Sequence, residues 1–489
     1  MLRLDALLPH YPLPASLAGM RVARLCLDSR QVQAGDVFVA LQGTREDGRR
    51  YVADAIANGA ALVLTDAERD HWRQQDGVPM VGVRALRAQL GELAARLYGH
   101  PGSELQVIGI TGTNGKTSCS WFLADALNAL GRRAALMGTL GVRYDGELVD
   151  LGHTTPDPIT LQAALGRCRE QGAKTVVMEV SSHALDQHRL AGTPVSVAVF
   201  TNLTRDHLDY HGDMASYLAA KRRLFERPEL QLAVFNDDDP ASAELRGALL
   251  PGCKVVSFGH GVGADLRVAQ VTRDTQGLRG ELQCGERRWR FALPLFGGFN
   301  LDNLMAVAAV LVGLGATDEE LMTALAAVTP VPGRMEPVGS QPQVLVDYAH
   351  TPDGLEKALT AARQHFSGRL WCVVGCGGNR DHGKRPLMAA VAERLADCVV
   401  LTSDNPRDEA PAAILQDMAQ GLATAERAWV IEDRAEAIAR VIAEATVDDV
   451  VLIAGKGHER WQEVAGQRLP FDDREHARAA LQQRAGGAA

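Results

Sequence analysis

Residues 106–131 read QVIGITGTNGKTSCSWFLADALNALG: an apolar, β-branched run, a glycine loop, Lys116 and Thr117, and an amphipathic stretch closed by Gly131. A strand that passes through such a loop straight into a helix belongs in a parallel α/β sheet, and this excludes most all-helical and all-β architectures. The same geometry aims the loop N–H groups and the positive helix end at phosphate, with the lysine to neutralise charge and the threonine hydroxyl within reach of Mg²⁺. The spacing is not that of the general phosphate loop, which would place glycine where Ile110 stands. A flexible turn would explain the glycines but not the strand and helix that flank them.

The rest of the chain repeats this plan. At 489 residues it exceeds what one core usually organises. From Val107 onward short β-branched runs alternate with helical patterns. Two stretches read as linkers, Pro101-Gly102-Ser103 and the proline-rich TPVPGRMEPVGSQPQ. The expected division is therefore 1–101, 102–333 and 334–489, each an α/β domain. Hydrophobic residues at 46% and charged ones at 23% describe an ordinary globular chain, and a net charge of −9 without a basic run argues against nucleic-acid binding. The most apolar helical stretch, LMAVAAVLVGLG, falls short of the ~20 residues a membrane span needs and is expected to be a core helix. The first residues lack the continuous apolar core of a secretory signal. Eight scattered cysteines with no CxxC pair fit a reducing cytoplasm.

Several further strand ends are polar. TVVMEV runs to Glu179 and is followed by Ser181-Ser182-His183; VSVAVFTNLTRDHLDYHGD presents Asp206, His207, Asp209 and His211. Taken singly, Glu179 reads as a cap or a surface charge. Beside a phosphate loop it gains a role, because ligand groups gather at the carboxyl ends of parallel strands. The histidines lack a zinc pattern, so Mg²⁺ held by few protein groups and phosphate oxygens fits better. Lys221, in YLAAKRRLF, is as an ammonium a surface charge that would repel metal. In the last third, Asp347 and His350, Gly377-Gly378-Asn379-Arg380, Asp404 to Arg407 and Gly455-Lys456-Gly457-His458-Glu459 all follow apolar runs. Each could be a plain turn, but together they suggest a ligand edge. Arg407 can fork onto a carboxylate, and Asp404 with Asn405 offers oxygens to an ammonium, so this loop suits a zwitterion such as an amino acid, with Pro406 stiffening it.

TGTNGKT, MEVSSHALDQHRL, FTNLTRDHLDYHG, FGGFNLDNLMAVAA, PGRME, VDYAHTPD and DNPR, in this order and over nearly the whole chain, resemble the Mur ligases of peptidoglycan synthesis, and DNPR resembles the members that add diaminopimelate. The resemblance implies a domain for the UDP end of a substrate, a central ATPase-type domain and a Rossmann-like domain for an amino acid. It implies ATP, meso-diaminopimelate and UDP-N-acetylmuramoyl-L-alanyl-D-glutamate as substrates, a cytoplasmic monomer, and two Mg²⁺. By matching position, Leu27, Ser29, Thr44, Arg45, Glu46, His153, Thr154, Thr155, Ser181, Gln187 and Arg189 would hold the UDP-linked substrate. Gly112, Thr113, Asn114, Gly115, Lys116, Thr117 and Ser118, with Asn300, Asn303, Arg334 and Asp347, would hold ATP. Thr117, Glu179, His207 and Lys221 would serve the metal, Lys221 as its carbamate, and Lys116, Glu179, His207 and Lys221 would form the catalytic set. Arg380, Asp404, Asn405, Pro406, Arg407, Gly455 and Glu459 would bind diaminopimelate. His153 stands where the family has Asn, and Ser118 where it has a second Thr. The acyl phosphate such a ligase forms must be kept from water, so a hinge is expected near residues 329 to 342. A lysine-adding or folate ligase, a nucleotide switch and a kinase are the rival readings.

Overall fold

A computed structural model describes residues 1–43 and 46–487, so Thr44 and Arg45 lie outside the described residues. By its internal contacts the chain divides into two compact units, Met1–Phe258 with Ala309–Gly315, and Gly259–Ala308 with Ala316–Ala489.

The first unit holds two main sheets, besides the two-stranded ribbon of Leu2–Arg3 and Arg21–Val22. In the smaller, Leu25–Cys26, Val37–Ala40, Leu62–Ala67 and Val78–Arg84 run parallel in that spatial order, and His71–Gln75 closes the edge antiparallel. In the larger, the parallel strands lie in the order Ala134–Gly138, Thr175–Glu179, Gln106–Thr111, Val197–Phe200, Leu232–Asn236, Lys254–Gly259. Their sequences are continuous apolar runs rather than alternating ones, as strands covered on both faces require. Every residue of Thr175–Glu179 and of Val197–Phe200 is buried. Register then sets the site. Ile110 lies opposite Glu179 on one side and Val199 on the other, so Gly112, Glu179 and Thr201 emerge together at one edge. The two sheets are drawn close through Gly91 in the helix Leu86–Leu97, where a Cβ would stand 2.1 Å from the Ala191 carbonyl oxygen.

The second unit opens with an antiparallel meander, Leu266–Asp274, Gly277–Cys284 and Arg287–Leu293. Its main sheet has the spatial order Glu336–Ser340, Gln343–Asp347, Val450–Ala454, Leu370–Val374, Cys398–Leu401, Trp429–Val430. All but the first strand run parallel. Asp347, Ala454, Val374 and Leu401 share one register level, so four polar loops leave from adjacent positions along one edge. The stretch read as a core helix lies in Gly298–Gly313, with Leu304 to Leu311 buried. Among the described residues no helix is long and apolar enough to cross a membrane, and all eight cysteines are free thiols.

Candidate active site

In the first unit the loop between Thr111 and the helix Lys116–Ala129 is held open by its neighbours. Gly112 has φ +154°, and a Cβ there would fall 1.8 Å from Thr201 Oγ1, so only glycine lets the loop lie this close to the next strand end. Asn202 fastens the other side: its carbonyl accepts from Thr113 N at 2.8 Å and its Oδ1 from Asn114 N at 2.9 Å. Lys116 folds over the loop, with Nζ donating to the carbonyls of Gly112 and Thr113 at 2.9 Å each. A half-buried lysine turned over a glycine loop at a helix N-terminus is an arrangement suited to a polyphosphate.

Glu179 is buried at the end of its strand. Its Oε2 accepts from the hydroxyls of Thr117 (3.0 Å) and Thr139 (3.1 Å), and its Oε1 from Thr139 N at 2.8 Å. Gly138 makes room, since a Cβ there would meet Glu179 Oε1 at 2.1 Å. Thr139 also shares a hydrogen bond with Thr154 at 3.0 Å. Thr139 was passed over in the sequence. Its signal is that MGTLG ends a strand, but only the strand order places that end beside Glu179.

Lys221 is fully buried in the helix Met214–Arg222, and its Nζ has no hydrogen-bond partner among the described residues. The amine lies 4.3 Å from the centroid of the Tyr217 ring, whose hydroxyl is 3.2 Å from Thr113 Oγ1. Burial, reinforced by the charge of Lys116 and only partly offset by Asp206, lowers its pKa well below that of an ordinary lysine. Burial thus favours the neutral amine over the surface ammonium that its sequence context suggests. His207, at φ +54°, places its ring 4.8 Å from that of His183. Burial first, then the neighbouring His207 and His211, bring His183 down to about 4.

Beyond this cluster an open cavity of about 910 Å³ separates the small sheet from the large one. Leu27, Ser29, Glu46, His153, Gln187 and Arg189 line it, together with Tyr51, Asn58 and Arg87, which sequence reasoning did not single out. Thr155 and Ser181 are not in its wall. Thr155 Oγ1 bonds the Glu179 carbonyl at 2.8 Å, and Ser181 caps the helix Ser182–Asp186. Arg189 joins the two groups, donating to the Thr155 carbonyl at 2.7 Å and to Gln187 Oε1 at 2.8 Å.

In the second unit Asn300 and Asn303 are buried neighbours on one helix, bonded at 3.2 Å. Arg334 lies over the Tyr348 ring at 4.7 Å. Asp347 accepts from Met335 N and Ala349 N at 2.8 Å each; burial pushes its carboxyl up, against the pull of Arg334 and these two donors.

The four loops at the other sheet edge interlock. Arg407, at φ +53°, donates through Nε to Glu463 Oε2 at 3.1 Å and through Nη1 to the Gly378 carbonyl at 2.7 Å. Three of the five guanidinium N–H groups remain for a ligand. Arg380 is exposed on the neighbouring loop, and Gly378 packs on Pro406, with no space for a Cβ beside the Pro406 oxygen at 1.9 Å. The carboxylate of Asp404 is buried and accepts no hydrogen bond from a described side chain or N–H group, while Gly455 leaves it room: a Cβ there would stand 2.6 Å from Asp404 Oδ2. One expectation is corrected. Asn405 does not offer its oxygen to the ammonium of a ligand, because Oδ1 already accepts from Lys456 Nζ at 3.0 Å and Glu463 N at 2.9 Å. Its Nδ2 donates to Glu459 Oε2 at 2.9 Å, so toward a ligand Asn405 is a donor.

Comparison with known proteins matches residues 110–311 to the Mur ligase middle domain, residues 333–457 to the Mur ligase glutamate ligase domain and residues 21–98 to the Mur ligase family catalytic domain. The UDP-N-acetylmuramoyl-L-alanyl-D-glutamate–2,6-diaminopimelate ligase of Coxiella burnetii is 47% identical over 474 residues, covering 96% of this chain and 97% of its own. That of Pseudomonas aeruginosa is 47% identical over 485 residues, covering 96% of each. A solved structure of a ligase with the same name is 35% identical, with a TM-score of 0.73 over 99% of both chains. A MurF ligase from Thermotoga maritima in complex with ADP, 20% identical, shares the fold at a TM-score of 0.61 over 95% of this chain and 98% of its own. With near full-length identity of this order, the chain belongs to the Mur ligase family.

Proposed function

We propose that this chain is an ATP-dependent amide ligase that joins meso-diaminopimelate to the γ-carboxylate of the D-glutamyl residue of UDP-N-acetylmuramoyl-L-alanyl-D-glutamate. It would act as a cytoplasmic monomer in peptidoglycan precursor synthesis. Residues 1–101 would receive the UDP-linked substrate, 102–333 ATP and 334–489 the amino acid. The observation that carries the reading is Lys221: a buried amine with no hydrogen-bond partner among the described residues, pushed toward its neutral form by burial and lying one tyrosine ring away from the glycine loop. Burying an amine without a hydrogen-bond partner costs free energy, so a role beyond folding is needed to explain its place. A neutral amine attacks CO₂: the nitrogen bonds to carbon, one C=O π bond opens onto oxygen, and a proton is released, leaving a carbamate.

That carbamate, with Thr117, Glu179 and His207, would hold Mg²⁺. Among the described residues no three His, Cys, Asp or Glu side chains gather around one point. So sparse a protein set fits a hard cation that completes its shell with phosphate oxygens and water. Two Mg²⁺ would supply charge neutralisation on the transferred phosphoryl group.

The chain's own groups account for the remaining steps. Backbone N–H groups at the start of the helix Lys116–Ala129 and the Lys116 ammonium hold the ATP phosphates, while Arg189, Gln187 and Ser29 orient the UDP-linked substrate in the large cavity. A γ-carboxylate oxygen attacks the terminal phosphorus and the bond to ADP breaks, giving an acyl phosphate. The neutral amine of diaminopimelate then attacks the carbonyl carbon, phosphate leaves and a proton is lost, forming the amide. Asp404 and Glu459 accept from an ammonium of the amino acid, and Arg407, Arg380 and Asn405 donate to its carboxylates, a pattern that favours a substrate with a second zwitterionic end over lysine.

The reading is tested with UDP-linked substrate whose γ-carboxylate carries heavy oxygen. Attack by that carboxylate on ATP transfers one labelled oxygen to the released phosphate. Unlabelled phosphate during steady product formation would overturn the acyl-phosphate route.

A further inference from the structure

The loop Gly455 to Glu459 contains a second fully buried lysine, Lys456. Its Nζ donates to Asn405 Oδ1 and to Glu459 Oε2, both at 3.0 Å. The backbone forces the side chain inward. Gly455 has φ +119° and lies against Asp404, and Gly457 has φ +53° and is pressed between Tyr348 and the Gly333 carbonyl, where a Cβ would stand 2.7 and 2.8 Å from its neighbours. Neither flanking position accepts a side chain, so Lys456 is held between the two loops that bear Asp404 to Arg407 and Glu459. Burying an ammonium is costly unless it is paired and hydrogen-bonded, and here its two partners are groups assigned above to the amino acid.

We propose that Lys456 is a positioning residue of the amino-acid pocket: by taking Asn405 Oδ1 and Glu459 Oε2, it fixes which atoms of those two residues are left to meet the ligand. This rests on the proposed function of that loop cluster. With Lys456 and Glu463 N both donating to Oδ1, the Asn405 amide has one permitted orientation, since the flipped amide would point its NH₂ at an ammonium and at an N–H. Glu459 Oε2 is filled by Lys456 and by Asn405 Nδ2, which leaves Oε1 as the acceptor for an ammonium and one Asn405 N–H as a donor for a carboxylate. The donor and acceptor pattern of the pocket is thus set before the amino acid arrives, and affinity gained in this way is lost when the supporting group is removed.

The test compares the parent enzyme with Lys456→Met and Lys456→Gln. Steady-state kinetics are measured with meso-diaminopimelate, ATP and the UDP-linked substrate varied in turn, and folding is checked by circular dichroism. Lys456→Met is expected to raise the KM for diaminopimelate about tenfold or more while kcat and the other two KM values change less than about threefold. Lys456→Gln, which keeps one donor, is expected to fall between parent and Lys456→Met. An unchanged KM for diaminopimelate overturns the proposal, as does a common loss in kcat and all three KM values, or failure to fold with either substitution, each of which makes Lys456 a packing residue. A parent enzyme without diaminopimelate-dependent turnover would instead overturn the proposed function, so the two failures are distinct.

Discussion

Glu179 accepts from three donors, supplied by the neighbouring Thr117 and Thr139, and this arrangement holds its carboxylate in one orientation beside the phosphate loop. Glu179→Gln puts an amide donor against these donors and removes the charge. Turnover is expected to fall by on the order of 10²-fold or more, with the KM for diaminopimelate little changed, as read by phosphate release. Thr139→Val removes one hydroxyl but keeps the backbone bond, and a loss of roughly tenfold is expected, in line with a hydrogen bond to a charged group. Lys221→Ala is expected to abolish ligation at any CO₂ concentration, whereas the parent loses activity on CO₂ depletion and regains it with bicarbonate. A fully active Lys221→Ala would remove the carbamate from the account. These three residues were unequally legible. Glu179 stands at the end of a run that reads as a strand. Lys221 looks from sequence like a solvated face, because local context carries no information on which side of its helix the rest of the sheet will cover. Thr139 needs the strand order, which brings Ala134–Gly138 beside Thr175–Glu179 and so joins two residues forty positions apart in sequence.

Elements follow the same division between local and distant causes. The strand-loop-helix units from Val107 onward are legible because a fully covered parallel strand must be apolar throughout. The meander is harder. RRWRFAL alternates visibly, but a register shift between Ala269 and Thr272 breaks the alternation in Leu266–Asp274. One link between elements lends itself to a stability test. Asp449, just before the strand Val450–Ala454, accepts from Thr446 N at 2.9 Å, Trp371 Nε1 at 3.0 Å and Arg369 Nη2 at 3.0 Å. Burial alone would raise its carboxyl, yet these donors more than offset it and bring the group down to about 2. A carboxylate depressed in the folded state stabilises the fold fully above its ordinary pKa, and that contribution is lost as pH falls through the folded value. Acid unfolding of the parent should therefore steepen between roughly pH 4 and pH 2. Asp449→Asn should flatten this part of the profile and lower the melting temperature near neutral pH; identical acid profiles would show that these donors do not set the titration.

At the scale of the whole molecule, the proposed chemistry needs three receptors, and the candidate for each lies at the carboxyl ends of parallel strands or beside them. The phosphate loop and the DNPR loop carry signatures short enough to read directly. The large cavity does not, because its wall combines Leu27 and Ser29 with Gln187 and Arg189 through a helix contact that depends on Gly91. The proposed amino-acid pocket lies between these cases. Its candidate residues stand out in the sequence, but the polarity of Asn405 does not, since that depends on Lys456 and on the backbone of Glu463, more than fifty residues away. The measurement that bears most directly on the account is phosphate release and product mass with ATP, Mg²⁺ and UDP-N-acetylmuramoyl-L-alanyl-D-glutamate, in the presence of meso-diaminopimelate, L-lysine or no amine. The account predicts coupled phosphate and tripeptide product with diaminopimelate and little of either otherwise. Equal turnover with lysine, or phosphate release that does not depend on the amine, would contradict it.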